Sequence, residues 1–306
     1  MARERYKSQV RLLIQALPEI AKEEAFALKG GTAINLFYRD FPRLSVDIDL
    51  TYLPLKPRNE ALEEINMTLD RLGDAIPKAL SGVTSQRIAG GSGNETRLLI
   101  RKDRVEVKIE TTPVGRGTVH QPELRKVTEA VEDEYGFAEI PVVAFPDLFG
   151  GKLVAALDRQ HPRDLYDIRL LYDNEGITDE LVRTSLIYVA MSSRPMHEIL
   201  KPSLKPLEAD YTREFQGMTE VDIPLKELEE TRLRLIDNLK ARLREPEQRF
   251  LLTLHDGEPD DFNAIGLPQA EDLPAVKWKV LNLRKLRESN PQKHAQQREE
   301  LKSKFA

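Results

Sequence analysis

The chain has 306 residues, which is more than a single hydrophobic core usually supports, so we expect two lobes. Apolar residues make up 40% and charged residues 32% of the chain, a composition that is typical of a globular protein and excludes collagen-like and low-complexity classes. The net charge of -5 provides no global positive field for nucleic acid or an anionic membrane, so a polyanionic partner would need a local basic patch.

The sequence also excludes several kinds of site. Because the chain contains no cysteine, it has no disulfide, no thiolate zinc site and no cysteine nucleophile. No apolar stretch approaches the roughly 18 residues that a membrane helix requires, and the N-terminus becomes charged too early for a secretory signal. We therefore expect a cytoplasmic protein with no membrane partner.

The first third of the chain changes its periodicity twice. The apolar positions of residues 5–27 follow a helical spacing that Pro18 interrupts, so two short helices are expected there. Residues 32–38 follow a glycine pair and are long enough for one or two helical turns. Residues 46–51 then alternate apolar and polar side chains, which predicts a strand with one polar face.

A long helix and two further strands are expected next. Residues 57–76 have the spacing of an amphipathic helix that begins at a proline. Residues 97–101 and 104–111 are strand candidates, and a loop rich in Gly and Ser precedes them at residues 88–94. In the second of these strands the polar face carries Glu106, Lys108 and Glu110.

The chain beyond residue 141 has a helical pattern. Asp147 is expected to cap a helix that continues to Leu157, and three more helices are predicted over residues 164–172, 178–191 and 224–245. We therefore expect an α/β (α+β) fold. A lobe with a small mixed sheet would span residues 1–140, and an α-helical lobe would span residues 141–306.

Charge is distributed unevenly near the C-terminus. Residues 253–274 contain six acidic residues and no Lys or Arg, which predicts an acidic loop. Residues 275–306 contain nine Lys or Arg and three Glu, so this basic tail carries +6 and the rest of the chain -11. The tail would supply the local basic patch that a polyanionic partner needs. Its Trp278, the single tryptophan of the chain, is expected to pack against the helical lobe.

Carboxylates and glycines form the strongest functional pattern. Asp47 and Asp49 lie two residues apart on one strand face, so they can bind a divalent metal from one side. If Glu110 comes from a neighbouring strand, three carboxylates can hold two Mg²⁺ ions for an in-line phosphoryl transfer. Gly30 and Gly31, placed before a helix, present unhindered N–H groups to an anion such as a triphosphate. Each feature alone is more often structural, but their combination favours a metal-dependent phosphoryl-transfer site.

Two segments carry a resemblance to a known family. Residues 29–35 (KGGTAIN) and 43–50 (RLSVDIDL) resemble the signature of the AbiEii/AbiGii-type nucleotidyltransferase toxins, a branch of the DNA polymerase β-like superfamily. Downstream, Lys152 is followed fifteen residues later by Asp167, which resembles the second signature of that family. The gap between Gly31 and Asp47 is wider than is usual in the superfamily, although the Arg-x-Ser-x-Asp-x-Asp ending suits the toxin branch.

The resemblance implies a polymerase β-like nucleotidyltransferase lobe with a metal site. Asp47 and Asp49 would ligate Mg²⁺ or Mn²⁺, and Glu110 is favoured over Glu106 as the third ligand. The NTP substrate would be bound by the following residues: Gly30, Gly31, Thr32, Asn35, Arg43, Ser45 and Arg163.

The second signature implies a contribution from the helical lobe. Lys152 would offer a point charge to the triphosphate or to the leaving pyrophosphate. The proline after His161 breaks the helix, so Asp167 would return on the next one, where Asp164 is a candidate helix cap. There Asp167 would position Lys152, accept a hydroxyl proton or bind nucleotide.

The family resemblance further implies a biological role. The chain would transfer NMP from an NTP to an RNA hydroxyl, with the 3′ end of tRNA as acceptor and blocked translation as the consequence. The context would be a type IV toxin–antitoxin pair used in phage defence, with a cognate antitoxin that need not bind directly. Two alternatives stay open, namely nucleotidylation of a protein side chain by the same site and a non-catalytic binding partner that retains the fold.

Overall fold

The computed structural model describes residues 2–89, 96–259 and 262–305, and the chain divides into two compact units, Met1–Ala144 and Phe145–Ala306. The first unit therefore ends at Ala144 rather than at residue 140, because it includes the last strand of the sheet. The class is mixed α/β, as predicted. Among the described residues, no helix combines the length and the apolar character needed to span a membrane.

A seven-stranded mixed sheet forms the centre of the first unit, in the order β3-β4-β5-β2-β1-β7-β6. The β5–β2 and β1–β7 pairs are parallel and the other pairs are antiparallel. The strands are β1 Phe26–Lys29, β2 Ile48–Tyr52, β3 Val83–Ala89, β4 Thr96–Lys102, β5 Val105–Thr111, β6 Glu123–Lys126 and β7 Glu139–Val142.

The described part of this unit also contains the helices α1 Ala2–Ala21, α2 Gly30–Phe37, α3 Arg58–Ala79 and α4 Glu129–Tyr135. Helix α1 packs on β5 and β7, and the predicted amphipathic helix, α3, packs on β3 and β4 at one edge of the sheet. One face of β4 and β5 is apolar and buried, and it includes Leu98, Ile100, Val107 and Ile109. The opposite, polar face of these strands is left for the site.

The prediction of two helices before residue 27 was wrong. One helix continues through Pro18, which lies on the exposed side of α1 near its end, while Leu13, Leu17 and Ile20 are buried. The backbone hydrogen bond that a proline cannot donate is offset by burial of the apolar side of the helix. Phe26, expected in a helix, is instead the first residue of β1.

The predicted loop at residues 88–94 was wrong at its start. Its first two residues, 88 and 89, belong to β3, and residues 90–94 lie outside the described residues. Strand β3 itself, together with β6 and β7, was not predicted. Each of these strands pairs with a neighbouring strand along its length. Their formation therefore depends on strand pairing in the folded sheet and not on an alternating pattern in their own residues.

The second unit is helical, as predicted. Its helices are α5 Phe145–Asp158, α6 Pro162–Asp173, α7 Asp179–Met191, α8 Met196–Leu200, α9 Glu208–Glu214, α10 Leu225–Arg242, α11 Glu245–His255, α12 Pro274–Ser289 and α13 Pro291–Lys302. A short 3-10 helix spans Pro268–Asp272. Asp147 does not cap α5, because it lies buried within the first turn and accepts a hydrogen bond from the Tyr188 hydroxyl at 2.9 Å.

The acidic loop and the basic tail neutralise each other in part. Arg298 makes a two-point ion pair with Asp256 at 2.7 and 3.0 Å, and Arg287 pairs with Glu258 at 2.9 Å. The tail forms α12 and α13, while residues 260 and 261 of the acidic loop lie outside the described residues. The prediction for Trp278 was wrong, because its side chain on α12 is 58% exposed.

Candidate active site

A row of four charged residues crosses the centre of the sheet. Lys29 of β1 pairs in register with Asp49 of β2, Asp49 with Glu110 of β5, and Glu110 with Arg97 of β4. Residues directly opposite each other on neighbouring strands point to the same face. The row therefore places two carboxylates between two cations on the polar face of the sheet.

Asp49 lies in a strongly charged environment. Burial raises its pKa; Lys29 opposes the shift, and the neighbouring Asp47 and Glu110 add to it. Burial lowers the pKa of Lys29, against the attraction of Asp49 and Glu110. Asp47 precedes β2, which starts at Ile48, and its side chain is 51% exposed. Of the predicted pair, Asp49 is thus the more buried carboxylate and Asp47 the more exposed one.

Glu110 is held by two cations. Its carboxylate lies 2.8 Å from Lys108 Nζ and 3.0 Å from Arg97 Nη2. Burial acts to raise the pKa of Glu110, but the hydrogen bonds from Lys108 and Arg97 lower it below its usual value. Glu106, the alternative third carboxylate, lies four residues earlier on the same face of β5 and pairs with Arg101 at 2.7 Å. Of the two, Glu110 is the neighbour of Asp49.

The carboxylates fit a divalent cation that the substrate helps to hold. Lys108 Nζ already lies 3.9 Å from Asp47 Oδ2 and 2.8 Å from Glu110, so a positive charge is stable at this position. Within the part of the chain that the structure describes, no three acidic or histidine side chains converge closely enough to hold a metal alone. Mg²⁺ is commonly bound by one or two carboxylates together with substrate phosphates. Asp47 and Asp49 can supply these carboxylates.

The glycine pair touches this carboxylate site. Gly30 has φ +77°, in the left-handed region that favours glycine, and a β-carbon there would lie 2.6 Å from Asp49 Oδ2. A β-carbon on Gly31 would lie 2.6 Å from Arg43 Nη2 and 2.9 Å from Ser45 Oγ. Only residues without a side chain let α2 begin this close to the carboxylate and the guanidinium.

Thr32 and Asn35 hold the glycine pair against the segment before β2. The Thr32 hydroxyl donates to the Asp47 carbonyl at 2.5 Å and lies 3.2 Å from Ser45 Oγ. Asn35 donates to the Gly31 carbonyl at 2.6 Å and accepts from the Arg43 N–H at 3.3 Å. Both side chains are buried, so they bind backbone groups of the site.

The helical unit contains a second cluster. Lys152 Nζ donates to Asp164 Oδ1 at 2.9 Å and lies 3.0 Å from Asp167 Oδ2, and all three side chains are buried. Asp167 is on α6, after the break at residues 161–162, as predicted. Asp164 is not the cap, because His161 Nδ1 accepts from the Arg163 N–H at 3.2 Å. Asp164 instead pairs with Lys152 and with Arg159, 2.9 Å away.

Arg163 lies outside this buried cluster. Its side chain is 42% exposed, and Nη2 lies 3.7 Å from Glu214 Oε2. Glu214 also contacts His161 Nε2 at 3.2 Å. Arg163 is therefore a surface cation of the second unit.

The sequence suggested no role for Lys29 or Lys108 and only a helix cap for Asp164, yet all three residues take part in these two clusters. Lys29 was missed because β1 was not predicted, and without that strand nothing indicates that Lys29 faces Asp49. Lys108 was recognisable from the alternation of β5, since it shares a face with Glu110. The spacing of Asp164 and Asp167 does place both on one face of α6.

Comparisons with known proteins give the family. The family model described as nucleotidyl transferase AbiEii toxin, type IV TA system, matches residues 11–280. A sequence comparison with curated proteins found no match. Among solved structures, the chain is similar to MenT4, the nucleotidyltransferase toxin Rv2826c of Mycobacterium tuberculosis H37Rv, with 18% identity and a TM-score of 0.59. The similarity covers 89% of this chain and 92% of that one, and at this identity it shows the fold. The chain therefore belongs to the AbiEii family of nucleotidyltransferase toxins of type IV toxin–antitoxin systems.

Proposed function

We propose that this nucleotidyltransferase transfers NMP from an NTP, with Mg²⁺ or Mn²⁺, to a hydroxyl at the 3′ end of tRNA. The modification would block translation, and the protein would act in the cytoplasm as the toxin of a phage-defence pair. One observation carries the proposal. The turn that would bind the triphosphate and the carboxylate that would bind its metal are in contact, since Gly30 has no room for a β-carbon beside Asp49.

The reaction forms one bond and breaks another. The acceptor hydroxyl oxygen bonds to the α-phosphorus, the bond from that phosphorus to the bridging α,β-oxygen breaks, and pyrophosphate leaves with its electron pair. The hydroxyl proton is released to water. A divalent cation, when bound, neutralises charge that develops on the phosphate oxygens. Asp47 and Asp49 would bind this cation. Glu110 would become a third ligand when the Lys108 ammonium moves away from its carboxylate.

The residues around the glycine pair divide into two groups. The backbone N–H groups of Gly30 and Gly31, the Ser45 hydroxyl and the Arg43 guanidinium would bind the β- and γ-phosphates. Thr32 and Asn35 are used by backbone partners, so their part is to fix the turn in shape. This arrangement keeps the phosphate-binding groups in place before the substrate arrives.

For the second unit, we propose that Lys152 is catalytic as the point charge toward the triphosphate or pyrophosphate. Of the three roles open for Asp167, positioning Lys152 has the best support, because Asp167 is fully buried and 3.0 Å from Lys152 Nζ. Arg163, which is more exposed, would bind a phosphate of the nucleotide. The cognate antitoxin would counteract the modification without necessarily binding this chain.

The experiment that tests the acceptor is incubation with each α-labelled NTP, Mg²⁺ and total RNA. The wild type should label tRNA, Asp49→Asn should not, and Glu123→Gln should retain most of the activity because Glu123 lies on the edge strand β6, where it pairs with Arg125 at 2.9 Å. If no NTP labels RNA, the proposed acceptor is wrong. Label that appears in protein would select nucleotidylation of a side chain.

A binding measurement separates substrate recognition from turnover. NTP with Mg²⁺ should raise the melting temperature of the wild type and leave that of Asp49→Asn nearly unchanged, because a ligand stabilises only the state that binds it. If the two proteins respond equally, Asp49 is not part of the nucleotide site, and the non-catalytic alternative gains support.

A further inference from the structure

A cavity opens next to Asp47 on the side away from the glycine pair. It has a volume of about 390 Å³, within the roughly 300 to 1,000 Å³ of small-molecule sites. Its wall comes from α1, the segment before β2 and the hairpin between β4 and β5. The residues that matter for its chemistry are Gln9, Asp47, Arg101, Arg104, Glu106 and Lys108. We call it the hairpin cavity.

The sheet order fixes where the hairpin cavity lies relative to the phosphate turn. Strand β1, which leads into Gly30 and Gly31, is on one side of β2, and β5 and β4 are on the other. In phosphoryl transfer the attacking and leaving oxygens lie roughly in line on opposite sides of the phosphorus. If the pyrophosphate is held at the glycine pair, the acceptor hydroxyl approaches from the side of β5, where this cavity opens.

The charges of the hairpin cavity do not suit a phosphate. Three basic residues line it, and they are balanced by three acidic ones, which are Asp47, Asp103 and Glu106. Arg101 is bound to Glu106 at 2.7 Å and to Gln86 at 3.0 Å. A phosphate site needs a surplus of positive charge. Positive and negative side chains in equal number fit a neutral group that has many hydrogen-bonding atoms.

One side chain at the rim of the hairpin cavity is available to a ligand. Arg104 lies at the tip of the β4–β5 hairpin and is exposed, and no described residue forms an ion pair with its guanidinium. Its neighbour Asp103 has φ +53°, so the backbone of the tip is held in a turn. The wall behind them is anchored, since Gln9 donates to the Glu106 carbonyl at 2.8 Å.

We propose that the hairpin cavity binds the terminal nucleoside of the acceptor RNA, through its ribose and base rather than its phosphates. The inference rests on the proposed function, because it takes the acceptor to be RNA. The terminal ribose then presents its hydroxyl toward Asp47, and Arg104 closes over the base edge with its planar donors. The remainder of the RNA lies outside the cavity.

The test compares Arg104→Ala with Arg58→Ala, an exposed arginine at the start of α3, at the other end of β2. Arg104→Ala should raise the KM for RNA about tenfold, the size expected for a lost charge-assisted hydrogen bond, at unchanged KM for NTP. The steepness with which salt raises the KM for RNA should stay as in the wild type, whereas loss of a phosphate contact would reduce the slope by about one.

A direct measurement of nucleoside binding tests the proposal without relying on enzyme turnover. Free adenosine should shift backbone NMR signals of residues lining the hairpin cavity in the wild type and in Arg58→Ala, and much less in Arg104→Ala. An effect of Arg104→Ala on the KM for NTP alone, a reduced salt slope, or no adenosine shift in the wild type would each overturn the proposal. If adenosine binds here but no RNA is labelled, the proposed function fails and the nucleoside site stands.

Discussion

Gly30 and Asp49 are in such close contact that a β-carbon on Gly30 would lie 2.6 Å from the Asp49 carboxylate oxygen. A carboxylate in the middle of a sheet and a glycine in the turn after the neighbouring strand thus form one surface. The contact explains why the two halves of the first signature occur together, since each is shaped by the other.

Gly30→Ala should therefore abolish activity more than it reduces stability. The added methyl group must displace Asp49 or the turn, so we expect kcat/KM for nucleotide transfer to fall at least about 100-fold, as for other displaced reacting groups. The strained φ of +77° should lower the free energy of unfolding by about 1 to 2 kcal/mol. Labelled-nucleotide incorporation and thermal melts measure the two effects.

Gly176→Ala is the matched control, because Gly176 has φ +73° and nothing within 4 Å of a β-carbon. It should show the same loss of stability with activity preserved. Equal loss of activity in both variants would mean that the backbone conformation, and not the contact with Asp49, explains the effect.

Lys108 should compete with a divalent cation in the absence of nucleotide. Its ammonium lies 2.8 Å from Glu110 and 3.9 Å from Asp47, and although burial acts to lower its pKa, these carboxylates raise it. In Lys108→Met the ammonium is gone, and Arg97, 3.0 Å from Glu110, still competes with a metal for these carboxylates. The Kd for Mn²⁺, measured by electron paramagnetic resonance without NTP, should fall about tenfold, or ~1.4 kcal/mol.

Lys102→Met serves as the control for that experiment, since Lys102 is at the end of β4 and makes no contact with these carboxylates. Its Kd for Mn²⁺ should equal that of the wild type. An unchanged Kd in Lys108→Met would show that Asp47 and Glu110 do not share a cation site.

Lys152 and Arg159 test the buried cluster from two sides. Both bind Asp164, but Lys152 is buried between two carboxylates and the Arg159 side chain is 62% exposed. Lys152→Gln leaves uncompensated buried charge and should lower the free energy of unfolding by about 3 to 5 kcal/mol. Arg159→Gln should change it by less than about 1 kcal/mol. Equal effects in denaturant titrations would contradict the cluster.

Lys279 should give the second unit a stability that rises at alkaline pH. Burial lowers its pKa to about 8, while its Nζ donates to the Arg194 carbonyl at 2.7 Å. Between pH 8 and its unfolded pKa near 10.4, the unfolded chain holds the proton that the folded chain has lost, so the free energy of unfolding increases with pH. Below pH 8 both states are protonated and the buried charge has its full cost.

The measurement compares the pH dependence of wild type and Lys279→Met by circular dichroism. The wild type should gain up to about 2 kcal/mol relative to this variant between pH 8 and 10. Lys277→Met, which removes an exposed lysine paired with Asp272, should behave like the wild type. A parallel pH profile in wild type and Lys279→Met would show that Lys279 keeps its ordinary pKa.

The elements that the sequence predicted well are those whose own residues carry the pattern. The 22-residue helix α3 and the strand β5 have enough residues for the period to be unambiguous. Strand β1 has four residues, and Phe26 and its neighbours are buried on both faces, so no alternation was visible. The break predicted at Pro18 was wrong because this proline lies on the exposed side of α1, where the buried apolar side of the helix keeps the helix continuous.

The candidate site was predictable in composition but not in pairing. The sequence offered Asp49 from the signature and Glu110 as the favoured third carboxylate, but only the parallel register of β2 and β5 makes them neighbours. The cations that hold them, Lys29 and Arg97, come from strands whose register is set by the whole sheet. The exposed Trp278 was misjudged because a helix pattern does not show which neighbours will cover it.

Several cations of the basic tail are bound within the protein and are not available at its surface. Arg287 and Arg298 are paired with the acidic loop, and Lys279 is buried, so fewer cations reach the surface than the +6 charge suggests. The tail is therefore a weaker candidate for RNA contact than its composition indicates. Removing α13 would test its part of the tail, since RNA modification that stays unchanged excludes α13 as the RNA-binding surface.

The parallel pairing of β2 with β5 also has a consequence for synthesis of the protein. The strands that carry Asp49 and Glu110 are far apart in the sequence, with α3, β3 and β4 between them. Contacts of this kind form late, because a long loop must close before the pair is made. A chain still emerging from the ribosome thus has no assembled site until β5 has been made and paired, which delays the onset of toxicity beyond translation of the signature itself.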